Sequence, residues 1–221
     1  MIPSFAVERA QELLYRLNGL LGDGAIPPIK VFLDSPMAVK VTDVFRRHPE
    51  LFDEETTALL QKGDHPCDFP GLTLCRTTEE SRAINNVKEP AIIIAGSGMC
   101  TAGRIKHHLA HTIARPENSI LFVGYQARGT LGRAILEGAT NARIHGQFYP
   151  VRAHVEKING FSAHADRDEL FRWLSALKQP PRRLFVTHGE AETSDAFASW
   201  LAARGSWNVS VPSLMETVDL D

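Results

Sequence analysis

The sequence is poor in the features that would mark it as anything but an ordinary globular chain. It has only three cysteines, Cys67, Cys75 and Cys100, in 221 residues, and none forms a CxxC pair. An odd count without that spacing argues against a disulfide framework and against a cysteine-built zinc site. Long apolar runs are missing. Stretches such as Ala91–Ala95 and Ile120–Val123 are strand-length, far short of the roughly 20 residues that span a bilayer. No membrane association is therefore expected. The basic-then-apolar order of a signal peptide is lacking, because Glu8 and Arg9 interrupt the first apolar stretch. A cytoplasmic location is the expectation. Charge of one sign is not in excess. A formal net charge of −2 excludes a chain-wide attraction for nucleic acid, so any such surface is local. The best candidate region holds Arg104, Lys106, Arg115, Arg128 and Arg133, with few acids between them.

What is present is a repeated unit. The first stretch, Ile2–Leu21, is helical by pattern, with Phe5, Leu13, Leu14, Leu17 and Leu21 on one face and Gly22–Gly24 as the stop. Ile29–Leu33 reads as a buried strand ending at Asp34-Ser35-Pro36, followed by a helix from Met37 to Arg47. Ala91–Ala95 leads through Gly96–Gly103 into a helix over Arg104–Ala114, and Ile120–Val123 leads through Gly124–Gly129 into another. Val151–Ile158 reads as a longer strand before Gly160–Asp166 and a helix carrying Leu170, Phe171, Leu174 and Leu177. Leu184–Val186 leads through Thr187–Glu190 into a helix ending near Arg204-Gly205, and Asn208–Val211 reads as a last strand. This alternation implies an α/β fold with a mainly parallel sheet and right-handed crossovers. Ligands of such sheets sit at the carboxyl ends of strands, where every unusual loop here falls. A composition shift near Gly138–Gly146 suggests a boundary. The piece after it, roughly 75 residues, is small for a unit that stands alone.

Two loops carry histidines. In Gly160–Asp166 (GFSAHAD), Asp166 is a natural N-cap, and Asp168 and Glu169 occupy the first turn. The Ser162 hydroxyl and the helix N-terminus suit a phosphate oxygen, and His164 suits general acid or base work near neutral pH. A capped helix with a hydrogen-bonded loop histidine fits the same residues. In Val186–Glu190 (VTHGE), His188 stands at a strand end, a posture suited to metal ligation, with Gly189 permitting a tight turn. Gly96–Arg104 (GSGMCTAGR) is a glycine-rich strand–helix loop without the Gly-Lys-Ser/Thr of a Walker loop or GxGxxG spacing. A nucleotide-binding α/β protein therefore stays a remote alternative. His107, His108 and His111 lack the acid of HExxH and read as a solvated or RNA-facing helix surface.

Taken together, the segments IPSFAVERAQELL, VFLDSPMA, AGSGMCTAGR, VGYQARGTLGR, GFSAHAD and VTHGE resemble, in order, the β-CASP branch of the metallo-β-lactamase-fold nucleases, nearest to its RNA-specific members. The resemblance implies a parallel-sheet β-CASP domain with helices on both faces over residues 1–138. Over residues 139–221 it implies the returning C-terminal part of a metallo-β-lactamase αββα domain. It also implies a zinc-dependent RNA phosphodiester hydrolase, an endoribonuclease with 5′–3′ exonuclease action as a second mode. GFSAHAD looks like motif B, whose histidine, here His164, is implied to assist the leaving group. VTHGE looks like motif C, whose histidine, here His188, is implied to ligate zinc. Ser162 is implied to contact phosphate, and Asp34, Ser35 and Ser97 to lie on loops facing an RNA cleft.

The departures matter as much. The family's metal motif HxHxDH does not occur in this sequence, nor do its later histidine and bridging aspartate, nor the acid that orients the motif B histidine. All are expected to precede Ile2, in a missing N-terminal metallo-β-lactamase half, with Met1 an artificial or wrongly assigned start. Two zinc ions are implied for the complete enzyme and no tightly bound zinc for this chain, which is expected to be inactive alone. Single-stranded RNA is the expected partner, since a cleft threads one strand more readily than a duplex. Apolar surface and sheet edges uncovered by the missing half favour self-association, so a homo-oligomer is a further expectation. The competing reading from another class is a non-catalytic RNA-binding or interaction module.

Overall fold

The computed structural model describes residues 1–162, 164–205 and 207–220. The chain forms two compact units, Met1–Ser162 and Ala163–Asp221. The first opens with β1 (Ile2–Pro3), α1 (Arg9–Gly22), β2 (Lys30–Leu33), α2 (Pro36–Arg47) and α3 (Glu54–Gln61). It continues with β3 (Leu72–Leu74), α4 (Thr78–Ala83), β4 (Ala91–Ala95), α5 (Arg104–Thr112), β5 (Ser119–Phe122) and α6 (Leu131–Leu136). It closes with β6 (Asn141–Ile144), β7 (Gln147–Pro150) and β8 (His154–Lys157). The second unit holds α7 (Arg167–Ser175), β9 (Leu184–Phe185), α8 (Ala191–Ala202) and β10 (Val209–Ser210).

The first unit is a doubly wound parallel sheet. Strands pair in parallel in the order β1-β4-β2-β3, and β5 pairs in parallel with β8. Met1 stitches the two sets together. Its amino group donates to Ser119 O at 2.8 Å and its carbonyl accepts from Leu121 N at 2.8 Å, the pattern of a parallel bridge opposite Ile120. The spatial order is therefore β3-β2-β4-β1-β5-β8. Connections through α1 and α2 run toward the β3 edge, and those through α4, α5 and α6 run toward the β8 edge. Right-handed crossovers then place the two sets of helices on opposite faces. The cores agree with this. Ile94 packs with Leu13 and Leu14 of α1 and Val39 of α2, whereas its neighbour Ala95 packs with Ile105 and Leu109 of α5 and Ile135 of α6. That alternation along β4 is the period of a strand buried on both faces.

Two elements differ from the sequence expectation, each for a tertiary reason. The helix predicted from Ile2 begins only at Arg9. Ile2 and Pro3 pair with Ile94 and Ala95 instead, and Ser4 N donates to Ala95 O at 2.9 Å. Sheet pairing there outweighs helix propensity, and a γ-turn at Glu8 (φ 62°, ψ −59°) redirects the chain into α1. The strand predicted over Val151–Ile158 is shorter, spanning His154–Lys157, and a hairpin that the sequence did not mark precedes it. Pro150 ends an antiparallel hairpin of β6 and β7, turned at His145 and Gly146 with φ of 50° and 85°, and β8 then joins β5. Short elements between Pro49 and Asn86, β3 and α4 among them, were too brief for periodicity to mark.

In the second unit β9 and β10 pair in parallel, Leu184 opposite Val209. Helix α7 starts at a full capping box. Asp166 accepts from the Asp168 and Glu169 N–H groups at 2.9 and 2.8 Å, and Glu169 accepts from Asp166 N at 2.9 Å. No helix among the described residues is long and apolar enough to cross a membrane.

Candidate functional site

At the carboxyl edge of the parallel sheet, Asp34 follows β2 directly and is fully buried. Its carboxylate accepts from Ser81 Oγ at 2.6 Å and from Arg104 Nη1 at 2.8 Å, and His108 Nε2 lies 2.6 Å away. Burial by itself would raise this carboxyl. The hydrogen bonds from His108, Ser81 and Arg104 outweigh it and hold Asp34 below the usual carboxylate range. Arg104 Nη1 also donates to Cys75 O at 3.1 Å, so one ion pair ties the ends of β2 and β3 to the start of α5.

This arrangement corrects two sequence readings. Arg104, grouped there with outward-facing cations, is the buried acid's partner. His108, read as part of a solvated helix surface, is 2 % exposed, while His107 and His111 do lie at the surface. The helical period contains the signal. His108 falls on the same face as Ile105, Leu109 and Ile113, all wholly buried.

Ser97 organises the glycine-rich loop that follows β4. Its hydroxyl accepts from Thr101 N at 3.0 Å and Ala102 N at 3.2 Å and lies 3.2 Å from Thr101 Oγ1. Ser35 caps α2 by accepting from Ala38 N at 3.3 Å, and its hydroxyl lies 3.5 Å from where a Cβ on Gly96 would stand. Ser35 and Ser97 thus share the edge with Asp34, which sits beneath them rather than at the surface. Gly103 closes the loop at φ 77° and ψ −174°, a region open almost only to glycine, and a Cβ there would stand 2.4 Å from Gly96 O. Gly103→Ala is therefore expected to destabilise the fold by about 2–3 kcal/mol, read as a lower urea midpoint with an unchanged slope.

In the second unit His164 is exposed, two residues before the Asp166 cap. Ser162 is also exposed at the end of the first unit. Ala163, between them, lies outside the described residues. His188 follows β9, is exposed, and has φ 66°. The left-handed residue of this turn is thus the histidine and not the glycine. Gly189 is required for another reason. A Cβ there would stand 2.4 Å from Ser194 Oγ, which packs against the turn from α8. His188 also lines a cavity of about 690 Å³ walled by Phe185, Trp173, Phe197 and Trp200, with Arg167 on its lining. Arg167 and Arg204 both lie over the Trp200 ring, 4.6 and 4.0 Å from its centroid.

Two family models match the chain: the Beta-Casp domain over residues 10–135, and the Zn-dependent metallo-hydrolase RNA specificity domain over residues 149–212. This chain belongs to the β-CASP family of metallo-β-lactamase-fold RNA nucleases. It is 42 % identical over 205 residues to Ribonuclease TTHA0252 of Thermus thermophilus, covering 93 % of this chain and 46 % of that protein. It is 32 % identical over 224 residues to Transcription termination factor FttA of Methanocaldococcus jannaschii, covering 99 % of this chain and 35 % of that protein. With the FttA of Methanosarcina mazei the identity is 30 % over 226 residues, covering 100 % of this chain and 35 % of that protein. The chain thus spans half or less of the length of these relatives. The parallel sheet with helices on both faces is the fold expected of a β-CASP domain.

The family implies zinc, and the described side chains do not make a site for it. Among the described residues no three His, Cys, Asp or Glu side chains converge as a metal would require. The cysteines do not substitute. Burial pushes the Cys75 and Cys100 thiols up to about 12 and Cys67 up to about 11, so the thiolate a metal needs is disfavoured. Among the described residues no such ligand set stands around His188. What the sequence reading missed was the Asp34–Arg104–His108–Ser81 hub, because its members come from three separated segments.

Proposed function

We propose that this chain is the RNA-facing part of a zinc-dependent RNA phosphodiester hydrolase, an endoribonuclease, and that it does not cleave RNA by itself. Residues 1–138 are assigned to its β-CASP domain and residues 139–221 to the C-terminal portion of its metallo-β-lactamase domain. The observation that carries the reading is the posture of two exposed histidines on loops of a β-CASP chain. His164 stands just ahead of a capped helix N-terminus, and His188 is held in a left-handed turn at a strand end. A strained backbone at a polar, exposed residue is the kind of feature that function retains.

In this reading Ser162 donates a hydrogen bond to a non-bridging phosphate oxygen, and His164 carries the proton that the leaving oxygen needs. His188 offers one imidazole to a metal whose other ligands are not among the described residues. Ser35 and Ser97 face the RNA. Asp34 serves the same edge indirectly, by fixing Arg104 and the strand ends beneath those hydroxyls. Without a ligand set, the chain alone behaves as an RNA-binding module.

Fluorescence anisotropy of the purified chain with a labelled single-stranded RNA, and with the same sequence as a duplex, tests this. The single strand is expected to bind about tenfold or more tightly, because splayed bases offer faces for stacking that a duplex hides. Equal or tighter binding of the duplex, or no binding at all, would count against the reading.

A further inference from the structure

The carboxyl edge of the parallel sheet has a central position that the motif residues do not explain. Connections after β1 and β2 leave toward one face and those after β4 and β5 toward the other, so crevices open between neighbouring strand ends. Phe5, two residues beyond β1, occupies the middle of this edge. The Cδ2–Cε2 edge of its ring meets backbone from two loops. A Cβ on Gly98, after β4, would stand 2.7 Å from its Cδ2 and Cε2 atoms, and a Cβ on Gly124, after β5, would stand 3.5 Å from Cε2. Any side chain at Gly98 would displace the ring. Two loops are thus bare where they meet one aromatic residue, yet Phe5 remains 43 % exposed.

The neighbours of Phe5 match a single-stranded nucleic acid better than a protein surface. Tyr125, directly after Gly124, is 56 % exposed. Ser4 O lies 3.7 Å from where a Cβ on Gly96 would stand, close to the Ser35 hydroxyl, so the ring adjoins the hydroxyl-bearing ends of β2 and β4. Arg128 is exposed on the loop that follows Tyr125. An aromatic ring held along one edge, next to hydroxyl-bearing strand ends and with an exposed cation on the adjoining loop, has what stacking of a base needs. It gives a flat apolar surface of low residual entropy, next to donors for the backbone.

We infer that Phe5 is a stacking platform for one nucleobase of the bound strand, positioning the nucleotide whose phosphate lies toward Ser35 and Ser97. This rests on the RNA-binding reading above.

The test uses the full chain and anisotropy with two probes of equal length, a labelled oligoadenylate and an abasic phosphodiester chain. The wild type should prefer the oligoadenylate. Phe5→Leu should bind it about tenfold more weakly, with the abasic probe unaffected and the melting temperature unchanged. Phe5→Trp should retain affinity, and its added indole emission should be quenched by oligoadenylate and not by the abasic chain. This second variant keeps the test decisive if the leucine variant folds poorly. Unchanged affinity in Phe5→Leu, or no quenching in Phe5→Trp, overturns the inference and leaves the RNA reading standing. Failure of the wild type to bind either probe removes both.

Discussion

Loaded with zinc and then dialysed, the purified chain is expected to keep well under one equivalent of metal and to leave a labelled single-stranded RNA intact. The reason is coordination chemistry. A catalytic zinc usually takes about three protein ligands and a structural one four. His188 offers one imidazole, and among the described residues nothing converges on it to complete a set. The thiols are no reserve, because burial pushes all three up and disfavours the thiolate a metal needs. Elemental analysis after dialysis, paired with a gel assay of the RNA, reads both parts. Residual weak zinc should vanish in His188→Ala. A tightly held zinc pair in each chain would show that the ligand argument is wrong.

The second large effect concerns Asp34. Replacing it by alanine leaves the buried His108 and Ser81 and the partly buried Arg104 around an uncompensated space, and removing one partner of a buried pair commonly costs about 3–5 kcal/mol. The expected result is a large fall in the denaturant midpoint with the fold otherwise two-state. Asp34→Asn should cost less, since it preserves shape and part of the hydrogen bonding. The pH dependence has a defined sign. The Asp34 carboxyl is held below its ordinary value near 3.9 in the folded chain. Its contribution is therefore complete above the unfolded value and is lost as pH falls through the folded one. The stability gap between wild type and Asp34→Asn should stay level from neutral pH down to about pH 5 and narrow below about pH 4. A gap that is constant to pH 2 would mean that the carboxylate's charge is not what stabilises the cluster.

The architecture was largely legible in the sequence, because each strand–loop–helix step leaves a local trace. Ala91–Ala95 has the bounds expected of it, and Asp166 caps its helix as its position suggested. What escaped notice was non-local. Ile2 and Pro3 read as the start of a helix because nothing near them reveals a partner some ninety residues away at Ile94. His108 was misread because a polar residue on an apolar face looks like an exception until its carboxylate partner, on another strand end, is known. The histidine loops were found by their residues, and the site proposed for them rests on family membership. Phe5 was visible as an aromatic residue, but its meaning depends on two glycines from loops far along the chain.

The place of β1 also governs the order in which this protein can assemble. A strand of two residues, made before both of its neighbours, fills the gap between β4 and β5, whose residues are made about ninety and one hundred and twenty positions later. Helices α1 and α2 therefore leave the ribosome with their apolar faces waiting for a sheet that cannot close until Phe122 has been synthesised. Loop-closure entropy across such separations slows the search, and exposed apolar surface in the interval invites misassociation. Refolding yield should thus fall with protein concentration more steeply than in a sheet whose neighbours are sequential, and nascent chains halted before β5 should depend most on chaperones.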